Sequence, residues 1–441
     1  MPEYVIIGSS IAGLSAAEAI RERDAHSSIT LVSDEPHRFY SRPGLAYVLR
    51  NDIPEAQLNA RTPDDYRQLN ACIVTARAER VLPDRRQVQL SNGEMLTYDR
   101  LLLATGSVAV SPDFPGHDLH GVVKLDSLDD LRHIAKLSGR RKTAVVIGGG
   151  ITALELVEGL RARGMSVHYL MRNARYWPNV LDEVESQLVE DRLRAEGVVI
   201  HARTYLKQAI GKRGKLIGVE TTAGEKIDCT VLAVAIGVRP RLEVAQAAGL
   251  KIERGIVVDE YLRTSVPQIF AAGDVAQVID PRTGRASLDV LWSTAHEQGR
   301  VAGINMAGGA TAYRKVVAMN VTQLAGLVTT IIGAVGTGID EDLVTISRGD
   351  SEQWRALEPT GVIDMRQDVN RMRAQLDESC LVGAIVMGDQ TWTRPLHDLI
   401  SQRVDITAIR ALMLADQSAA FEHLIRFYRE GEATHRAPAN L

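Results

Sequence analysis

Two glycine-rich turns, each lying between an apolar strand and a helix-forming run, are the stretches of this chain best suited to chemistry. The first is Gly8-Ser9-Ser10-Ile11-Ala12-Gly13, which follows a β-branched run and precedes one rich in alanine and leucine. In this order, backbone N–H groups at the start of the helix can bind a pyrophosphate. Gly8 permits the tight turn and Gly13 allows close helix–strand packing, whereas Ser10 replaces the usual middle glycine.

Two acidic residues complete the first unit. A predicted second strand at 29–32 is followed by Asp34 and Glu35. A dinucleotide-binding βαβ unit places a carboxylate about 20 residues beyond its turn, where it meets a ribose hydroxyl. A single glycine turn also occurs between strands and helices that bind no phosphate, so this interpretation depends on the rest of the chain.

A second unit of the same kind starts with a strand at 144–147. Its turn, Gly148-Gly149-Gly150-Ile151-Thr152-Ala153, keeps the G-x-G-x-x-A pattern. Two such units in one chain are far more specific than one, and they predict two nucleotides. We expect flavin adenine dinucleotide (FAD) and a nicotinamide dinucleotide, NAD(P)H.

The choice between NAD and NADP is open at the end of the second unit. Met171 stands where an NAD-binding strand would end in a carboxylate, Arg172 follows it, and Arg175 is close behind. The two arginines could meet a 2′-phosphate, or they could be solvated surface charge.

The predicted strands at 101–103 and 231–236 share the same pattern, an apolar run that ends in a turn of small residues. The first turn is Ala104-Thr105-Gly106, and the second contains Gly237. This repetition predicts an α/β fold with two Rossmann-like three-layer domains, one for each nucleotide.

Composition excludes several classes of function. The 441 residues carry 51 basic and 55 acidic side chains, a net charge of −4 that gives no electrostatic reason to expect nucleic acid. The three cysteines are scattered and form no C-x-x-C, which fits a reducing, cytoplasmic location, and we expect no cleaved signal. The uncharged stretch 316–339 contains polar residues and glycines, so we expect two buried strands joined near Gly326 and no membrane span.

A third motif carries a resemblance to a known family. Residues 264–275 read T-S-x-P-x-I-F-A-A-G-D-V, which resembles the second flavin fingerprint of the FAD-dependent pyridine nucleotide-disulfide oxidoreductases. The resemblance covers roughly residues 1–335 and implies that Asp274, after Gly273, meets the flavin ribitol.

The same resemblance implies further site residues. Tyr40-Ser41-Arg42-Pro43 resembles the Y-x-R-P turn of the family, and Glu155 matches a glutamate near the isoalloxazine, although a helix-surface acid is the alternative. Trp292 starts a helix that matches the one facing the flavin pyrimidine ring. His296, on that helix, is either near the flavin edge or simply packed.

The cysteines indicate the branch of the family. No C-x-x-x-x-C lies on the first long helix, no cysteine lies in the turn at 42–45, and we expect Cys72 to be a core residue on a strand. The chain therefore resembles the ferredoxin, rubredoxin and nitrite reductase branch, which lacks redox cysteines. The lysine often found soon after the turn is replaced by Ala46 and Tyr47.

The resemblance implies an FAD-dependent NAD(P)H oxidoreductase that exchanges electrons with an iron–sulfur or rubredoxin-type partner, as a homodimer or as a subunit of a hetero-oligomer. One such complex would be an oxo-acid dehydrogenase of the phenylglyoxylate type. The alternatives are an NAD(P)H oxidase that uses oxygen and a non-catalytic NADH-sensing flavoprotein. The predicted domains are an FAD-binding domain at 1–112 and 246–318, an NAD(P)-binding domain at 113–245, and a C-terminal α+β interface domain at 319–441.

Overall fold

A computed structural model describes residues 1–281, 283–336, 348–355, 357, 359–367 and 370–435. The strands are β1 Glu3–Ile7, β2 Ser28–Ser33, β3 Cys72–Thr75, β4 Ala78–Leu82, β5 Gln87–Leu90, β6 Met95–Thr97, β7 Arg100–Leu103, β8 Ser107–Ala109, β9 Val122–Val123, β10 Thr143–Gly148, β11 Ser166–Leu170, β12 Val199–His201, β13 Leu206–Lys212, β14 Lys215–Thr221, β15 Lys226–Asp228, β16 Val231–Ala235, β17 Val238–Pro240, β18 Ile256–Val257, β19 Ile269–Ala271, β20 Ala276–Ile279, β21 Ala286–Ser287, β22 Met319–Leu324, β23 Leu327–Gly333, β24 Gly361–Gln367, β25 Asn370–Leu376 and β26 Leu381–Met387. The helices are α1 Ile11–Arg23, α2 Gly44–Leu49, α3 Pro63–Leu69, α4 Leu128–Leu137, α5 Ile151–Ala162, α6 Glu183–Ala195, α7 Glu243–Ala247, α8 Trp292–Met306, α9 Thr393–Gln402, α10 Thr407–Ala415 and α11 Ala420–His435.

The chain forms two compact units. The first contains Met1–Arg172, Gly197–Lys315 and Thr345–Asp350, and the second contains Asn173–Glu196, Val316–Val344 and Ser351–Leu441.

The first unit has two parallel five-stranded sheets. One has the strand order β19-β7-β1-β2-β3, so that a strand from beyond residue 260 completes a sheet begun by the first hundred residues. Ile6 in its central strand pairs with Leu31 and Leu102. The neighbours Val5 and Ile6 point to opposite faces and are 2% and 0% exposed, so both faces of this sheet are covered.

The second sheet has the order β12-β11-β10-β16-β9 and uses only strands between residues 122 and 235. Val145 and Val146 in β10 are completely buried. The antiparallel sheet β13-β14-β15 and the pair β8–β17 complete this part of the unit. Two parallel sheets, each entered by a strand–turn–helix segment, are the predicted Rossmann-like arrangement.

The second unit is built on an antiparallel sheet with the order β22-β23-β26-β25-β24. One face of this sheet packs on α9, α10 and α11 through a core that includes Ile363, Leu396 and Leu424. The unit also includes α6, because Arg373 of β25 forms a buried ion pair with Glu185 of α6, with Nε 2.9 Å from Oε1.

The structure confirms the predicted strands in the uncharged stretch. β22 and β23 pair antiparallel and are joined by Ala325 and Gly326, both of which have positive φ angles, of 47° and 78°. Residues 337–339 of that stretch lie outside the described residues. Within the described part of the chain, none of the helices combines the length and apolar character that crossing a bilayer requires.

Candidate functional site

The first glycine turn brings three backbone segments into contact. Gly8 has a φ of 112°, and its N–H donates to the carbonyl oxygen of Val32 over 2.8 Å. A Cβ on Gly8 would lie 2.0 Å from the carbonyl oxygen of Ala104, and a Cβ on Gly13 would lie 1.8 Å from that of Gly8. No side chain fits at either position, so the two glycines bring the start of α1 directly onto the carboxyl ends of β1 and β7.

Helices α1 and α8 pack at similarly close range. A Cβ on Gly299 would lie 2.1 Å from the carbonyl oxygen of Ala12, and a Cβ on Gly303 would lie 2.3 Å from that of Ala16. The contacts advance in the same direction along both helices, so the helices run parallel and their N-terminal ends point the same way. Sequence analysis missed this pair of glycines, which are spaced by four residues on one helix face.

The starts of α1 and α5 share one feature. The N-cap residues Ser10 and Gly150 make no side-chain capping hydrogen bond. In contrast, α4 and α6 begin with complete capping boxes at Ser127 and Asp182. A side-chain cap is also missing at the starts of α2, α7, α8, α9 and α10, so this feature becomes informative only together with a glycine turn. At α1 and α5, the first N–H groups can bind a pyrophosphate.

The two acids after β2 have different surroundings. Glu35 is half-buried, and its carboxylate accepts hydrogen bonds from the Tyr40 hydroxyl, over 2.6 Å, and from Arg42 Nη2. Asp34 is exposed, and its Oδ2 lies 3.3 Å from Arg241 Nη1. Glu35 therefore orients Arg42, while Asp34 is the more accessible carboxylate at this strand end.

The turn after β7 closes against the segment that follows β17. Gly106 has a φ of 67°, and its carbonyl oxygen accepts from the Arg241 N–H over 2.9 Å. The Thr105 hydroxyl donates to the Arg241 carbonyl oxygen, also over 2.9 Å, and the Ala104 N–H donates to the Ile7 carbonyl oxygen. These bonds hold 104–106 beside the first glycine turn.

Asp274 lies just beyond the end of β19, beside the start of α1. Its Oδ2 accepts a hydrogen bond from the Ser107 hydroxyl over 2.6 Å. Burial raises the pKa of Asp274 above its ordinary value, and the bond from Ser107 acts in the opposite direction. The preceding Gly273 has a φ of 79°, and its N–H donates to Gln298 Oε1 over 2.8 Å. A Cβ on Gly273 would lie 3.2 Å from that of Ala12, so glycine gives clearance here.

The second glycine turn repeats the first in the other sheet. Gly148 has a φ of 149°, and a Cβ there would lie 2.2 Å from the carbonyl oxygen of Ala235 and 2.9 Å from Ala153 Cβ. Ala153 is 1% exposed and Ile151 is 4% exposed. Only a small residue therefore fits at Ala153, the last position of the G-x-G-x-x-A motif. Gly237 follows β16 with a φ of 112°. A cavity opens here, lined by Ala109, Leu125, Gly150, Thr152, Ala153, Val234, Ala235, Gly237, Val238 and Arg348.

Glu155 lies on α5, one turn beyond the second glycine turn. Burial, with the neighbouring charge of Glu158, raises the pKa of Glu155 to about 8, while Arg50 and Arg348 act in the opposite direction. Glu158 is itself held by Arg50, with Oε2 3.2 Å from Nη1. At neutral pH, Glu155 is therefore predominantly uncharged, unlike an acid on an exposed helix surface.

Trp292 and His296 lie one turn apart at the start of α8. Their rings stack with centroids 5.6 Å apart and an interplanar angle of 13°. Trp292 is 45% exposed, which is unusual for the largest side chain in proteins. The pair forms an accessible aromatic surface at the N-terminal end of this helix.

The two arginines after β11, Arg172 and Arg175, lie in different environments. Arg172 follows β11 and is exposed. Arg175 belongs to the second unit, where its Nη2 donates to the carbonyl oxygens of Pro178 and Leu181 over 3.3 and 3.4 Å. Arg172 is therefore the more accessible of the two to a bound nucleotide.

None of the three cysteines lies at a predicted flavin site. Cys72 is on a strand as predicted, but it is exposed, and the prediction of a core position was wrong because β3 is the edge strand of its sheet. It starts β3, at the end opposite the glycine turns, since this sheet is parallel. Cys229 is buried, and burial raises the pKa of its thiol to about 12. Cys380 is buried in the second unit.

Sequence analysis missed two charged residues of the site. Asp126 and Arg348 form an ion pair although they are 222 residues apart in the chain. Neither residue belongs to a local motif, so no pattern in the sequence indicated their contact. Among the described residues, no group of three or more His, Cys, Asp or Glu side chains is placed to bind a metal.

The residues of the first unit fit two dinucleotides. Each parallel sheet ends in a glycine turn that no side chain could enter, each turn leads into a helix without a side-chain cap, and Asp274 offers a carboxylate to a sugar hydroxyl. This combination defines a class of protein, the two-dinucleotide flavoprotein oxidoreductases.

Comparison with known proteins identifies the family. Residues 2–299 match the family model described as pyridine nucleotide-disulphide oxidoreductase. An NADH oxidase of Methanocaldococcus jannaschii is 32% identical over 334 residues, which are 73% of this chain and 74% of that protein. The epsilon subunit of the NADH-dependent phenylglyoxylate dehydrogenase of Aromatoleum evansii is 27% identical over 95% of this chain and 96% of its own. The crystal structure of a putidaredoxin reductase–putidaredoxin complex superimposes with a TM-score of 0.84 at 24% identity, over 97% of this chain and 99% of that one.

The chain belongs to the pyridine nucleotide-disulphide oxidoreductase family. This membership confirms the predicted fold class, the oxidoreductase activity, and the cofactors FAD and a nicotinamide dinucleotide. The protein is an electron-transfer flavoprotein of the branch without redox cysteines at the flavin.

Proposed function

We propose that this chain exchanges electrons between NAD(P)H and a separate iron–sulfur or rubredoxin-type protein, or an iron–sulfur subunit of a larger complex. The observation that carries the proposal is the position of the cysteines. A member of this family that reduces a disulfide needs a thiol beside the flavin, but Cys72 lies at the opposite end of its sheet and Cys229 is buried with a raised pKa. Electrons must therefore leave by another route.

We also propose the roles of the site residues. The α1 start and Arg42 would hold the FAD pyrophosphate, Asp274 would meet the ribitol, and the α5 start would hold the nicotinamide nucleotide. In the predicted domains, FAD would lie at the sheet of residues 1–112 and 246–318, and the nicotinamide nucleotide at the sheet of residues 113–245. FAD, when bound, accepts a hydride from the nicotinamide ring and can release electrons one at a time. The chain itself supplies position, excludes water and holds the proton of Glu155.

The names of the relatives support two kinds of acceptor. A phenylglyoxylate dehydrogenase subunit matches nearly the whole chain, which supports a role as the flavin subunit of an oxo-acid dehydrogenase complex. In such a complex the direction of electron transfer would be reversed, with NAD(P)⁺ as the final acceptor.

We place the protein in the reducing cytoplasm, in keeping with three free cysteines.

A second candidate is an NADH oxidase that reduces oxygen directly. The name of the relative from Methanocaldococcus jannaschii favours it. The two candidates differ in one measurable respect, because an oxidase consumes NADH rapidly in air without any added carrier.

The test is anaerobic stopped-flow reduction of the FAD-loaded protein. The oxidised flavin absorption should disappear after mixing with NADH or NADPH. The reduced protein is then mixed separately with ferredoxin, rubredoxin or air-saturated buffer. Reoxidation that is much faster with an iron–sulfur protein than with oxygen supports the proposal. Fast reoxidation by oxygen alone favours the oxidase, and no bleaching by either nucleotide refutes both.

A further inference from the structure

Arg348 reaches the dinucleotide site from a distant part of the chain. Its backbone position is set by hydrogen bonds at the two following residues. The Gly349 N–H donates to the Val290 carbonyl oxygen over 2.9 Å, and the Val290 N–H donates to the Asp350 carbonyl oxygen over 3.0 Å. Val290 lies two residues before α8, so Arg348 is attached to the segment that leads into that helix.

The Arg348 side chain is held by Asp126. Its Nη2 pairs with Asp126 Oδ1, and its Nη1 lies 3.4 Å from the Asp126 carbonyl oxygen. Asp126 is only 4% exposed, and its carbonyl oxygen also accepts from Arg42 Nη1 over 2.7 Å. Burial by itself would raise the pKa of Asp126, but the charges of Arg348, Lys124 and Arg42 hold it below its ordinary value. Asp126 is therefore a buried anion whose carboxylate pairs with Arg348 and, over 3.5 Å, with Lys124, while Arg42 binds its carbonyl oxygen.

Arg348 also faces the groups that we assign to both cofactors. It lines the cavity formed by Gly150, Ala153 and Gly237 at the second glycine turn. Its positive charge opposes the effect of burial on the carboxyl groups of both Glu155 and Asp274. The guanidinium thus acts electrostatically on the acid proposed for the isoalloxazine and on the acid proposed for the ribitol.

We propose that Arg348 is the cation that favours reduction of the bound flavin, and that Asp126 is a positioning residue that holds Arg348 in place. The inference rests on the proposed function, because it needs FAD in this site. Hydride transfer brings two electrons and one proton, so the flavin gains one negative charge while the nicotinamide gains one positive charge. A guanidinium that is mostly buried and held by Asp126 stabilises the added negative charge with little reorganisation.

The test compares midpoint potentials of FAD-loaded variants, measured anaerobically against a reference dye. We expect Arg348→Gln to lower the equilibrium constant for flavin reduction about tenfold, which is about 30 mV for two electrons. Arg348→Lys, which keeps the charge, should retain most of the wild-type potential. Asp126→Asn removes a negative charge as well as the partner that fixes Arg348, so we use it as a background: Arg348→Gln should lower the potential less in Asp126→Asn than in the wild type. The matched control is Arg132→Gln, which removes an exposed arginine of α4 paired with Glu55.

The outcomes separate this inference from the proposed function. If Arg348→Gln binds FAD and its midpoint potential equals that of the wild type, the inference is overturned. Weaker NAD⁺ binding by the same variant would not change that conclusion. An effect of Arg348→Gln that is equal in the wild-type and Asp126→Asn backgrounds overturns the positioning role of Asp126. If Arg348→Gln does not retain FAD, Arg348→Lys decides, and a potential that falls by about 30 mV in Arg348→Lys overturns the inference. A wild-type protein that cannot be loaded with FAD refutes the proposed function itself.

Discussion

The substitution Glu155→Gln tests the electrostatics of the site most directly. Glu155 has a pKa of about 8, raised from 4.5 mainly by burial and then by the charge of Glu158. Glutamine has nearly the same shape and carries no charge, so the variant resembles wild-type protein in which Glu155 is protonated. At pH 7, a pKa near 8 keeps roughly ten neutral carboxyls for each ionised one.

The sign of the effect on stability follows from proton binding. Between pH 4.5 and about 8, the folded protein keeps the Glu155 proton and the unfolded chain loses it. The free energy of unfolding therefore falls as pH rises through this window. At about 1.4 kcal/mol per pH unit, the full loss is at most about 5 kcal/mol, and solvent reaching the cavity reduces it. Glu155→Gln has no carboxyl group at this position, so its free energy of unfolding should not show this fall with pH.

The effect on the reaction has the same origin. Above pH 8, an ionised Glu155 places a negative charge near a ring that gains electrons, and we expect NADH-dependent bleaching of the wild-type flavin to slow by roughly tenfold, which corresponds to about 1.4 kcal/mol. Glu155→Gln should bleach at a rate that changes little between pH 6 and pH 9.

The assay combines thermal unfolding of the apoprotein from pH 5 to 8.5 with stopped-flow reduction of the FAD-loaded protein from pH 6 to 9. The control is Glu79→Gln, because Glu79 is an exposed acid on β4. The melting temperature of the wild type and the control should fall with pH more steeply than that of Glu155→Gln. Parallel melting curves together with identical pH–rate profiles for wild type and Glu155→Gln would refute the reasoning.

Three further predictions concern packing, the second unit and nucleotide choice. Gly299→Ala should lower the free energy of unfolding by about 1–3 kcal/mol and weaken FAD retention, because its Cβ would lie 2.1 Å from the carbonyl oxygen of Ala12. The control Gly431→Ala, in a helix with open space around it, should be neutral or slightly stabilising in chemical denaturation. Arg373→Met should remove the closer ion pair of Glu185, which is 0% exposed, and leave it with the more distant Arg371, whose Nε lies 3.7 Å from Glu185 Oε1. We expect a loss of up to about 3–5 kcal/mol, and a loss below about 1 kcal/mol in urea titrations contradicts this. Arg172→Ala should raise the dissociation constant for NADPH by several-fold more than that for NADH, as measured by flavin bleaching at varied nucleotide concentration; equal changes would show that Arg172 does not contact a 2′-phosphate.

Local patterns in the sequence were sufficient to predict both glycine turns. A strand, a glycine turn and a helix are consecutive in the chain, so the pattern is visible locally, although the closest contacts of Gly8 and Gly148 are with Ala104 and Ala235 in distant segments. The same holds for β22 and β23, where an uncharged run interrupted by Gly326 predicted a hairpin. For these elements, the recognisable sequence pattern lies within about 30 residues.

Burial at sheet edges was not predictable in the same way. Cys72 lies on a short apolar strand, and such a strand could be central or at an edge. Its exposure became evident only from the order of the strands, in which β3 comes last. The same limitation applies to the glycines at 299 and 303, which read as ordinary helix residues until α1 is placed against α8.

The sequence by itself determined the fold class, the two dinucleotides and the absence of a thiol relay, because each depends on which residue types follow one another. Only the tertiary structure decided how charge is arranged around them. Asp126 and Arg348 meet across 222 residues of chain, and the pKa of Glu155 is raised mainly by its burial in the folded chain. Electrostatic energies depend on distance and burial, and those are properties of the folded chain and not of any local stretch.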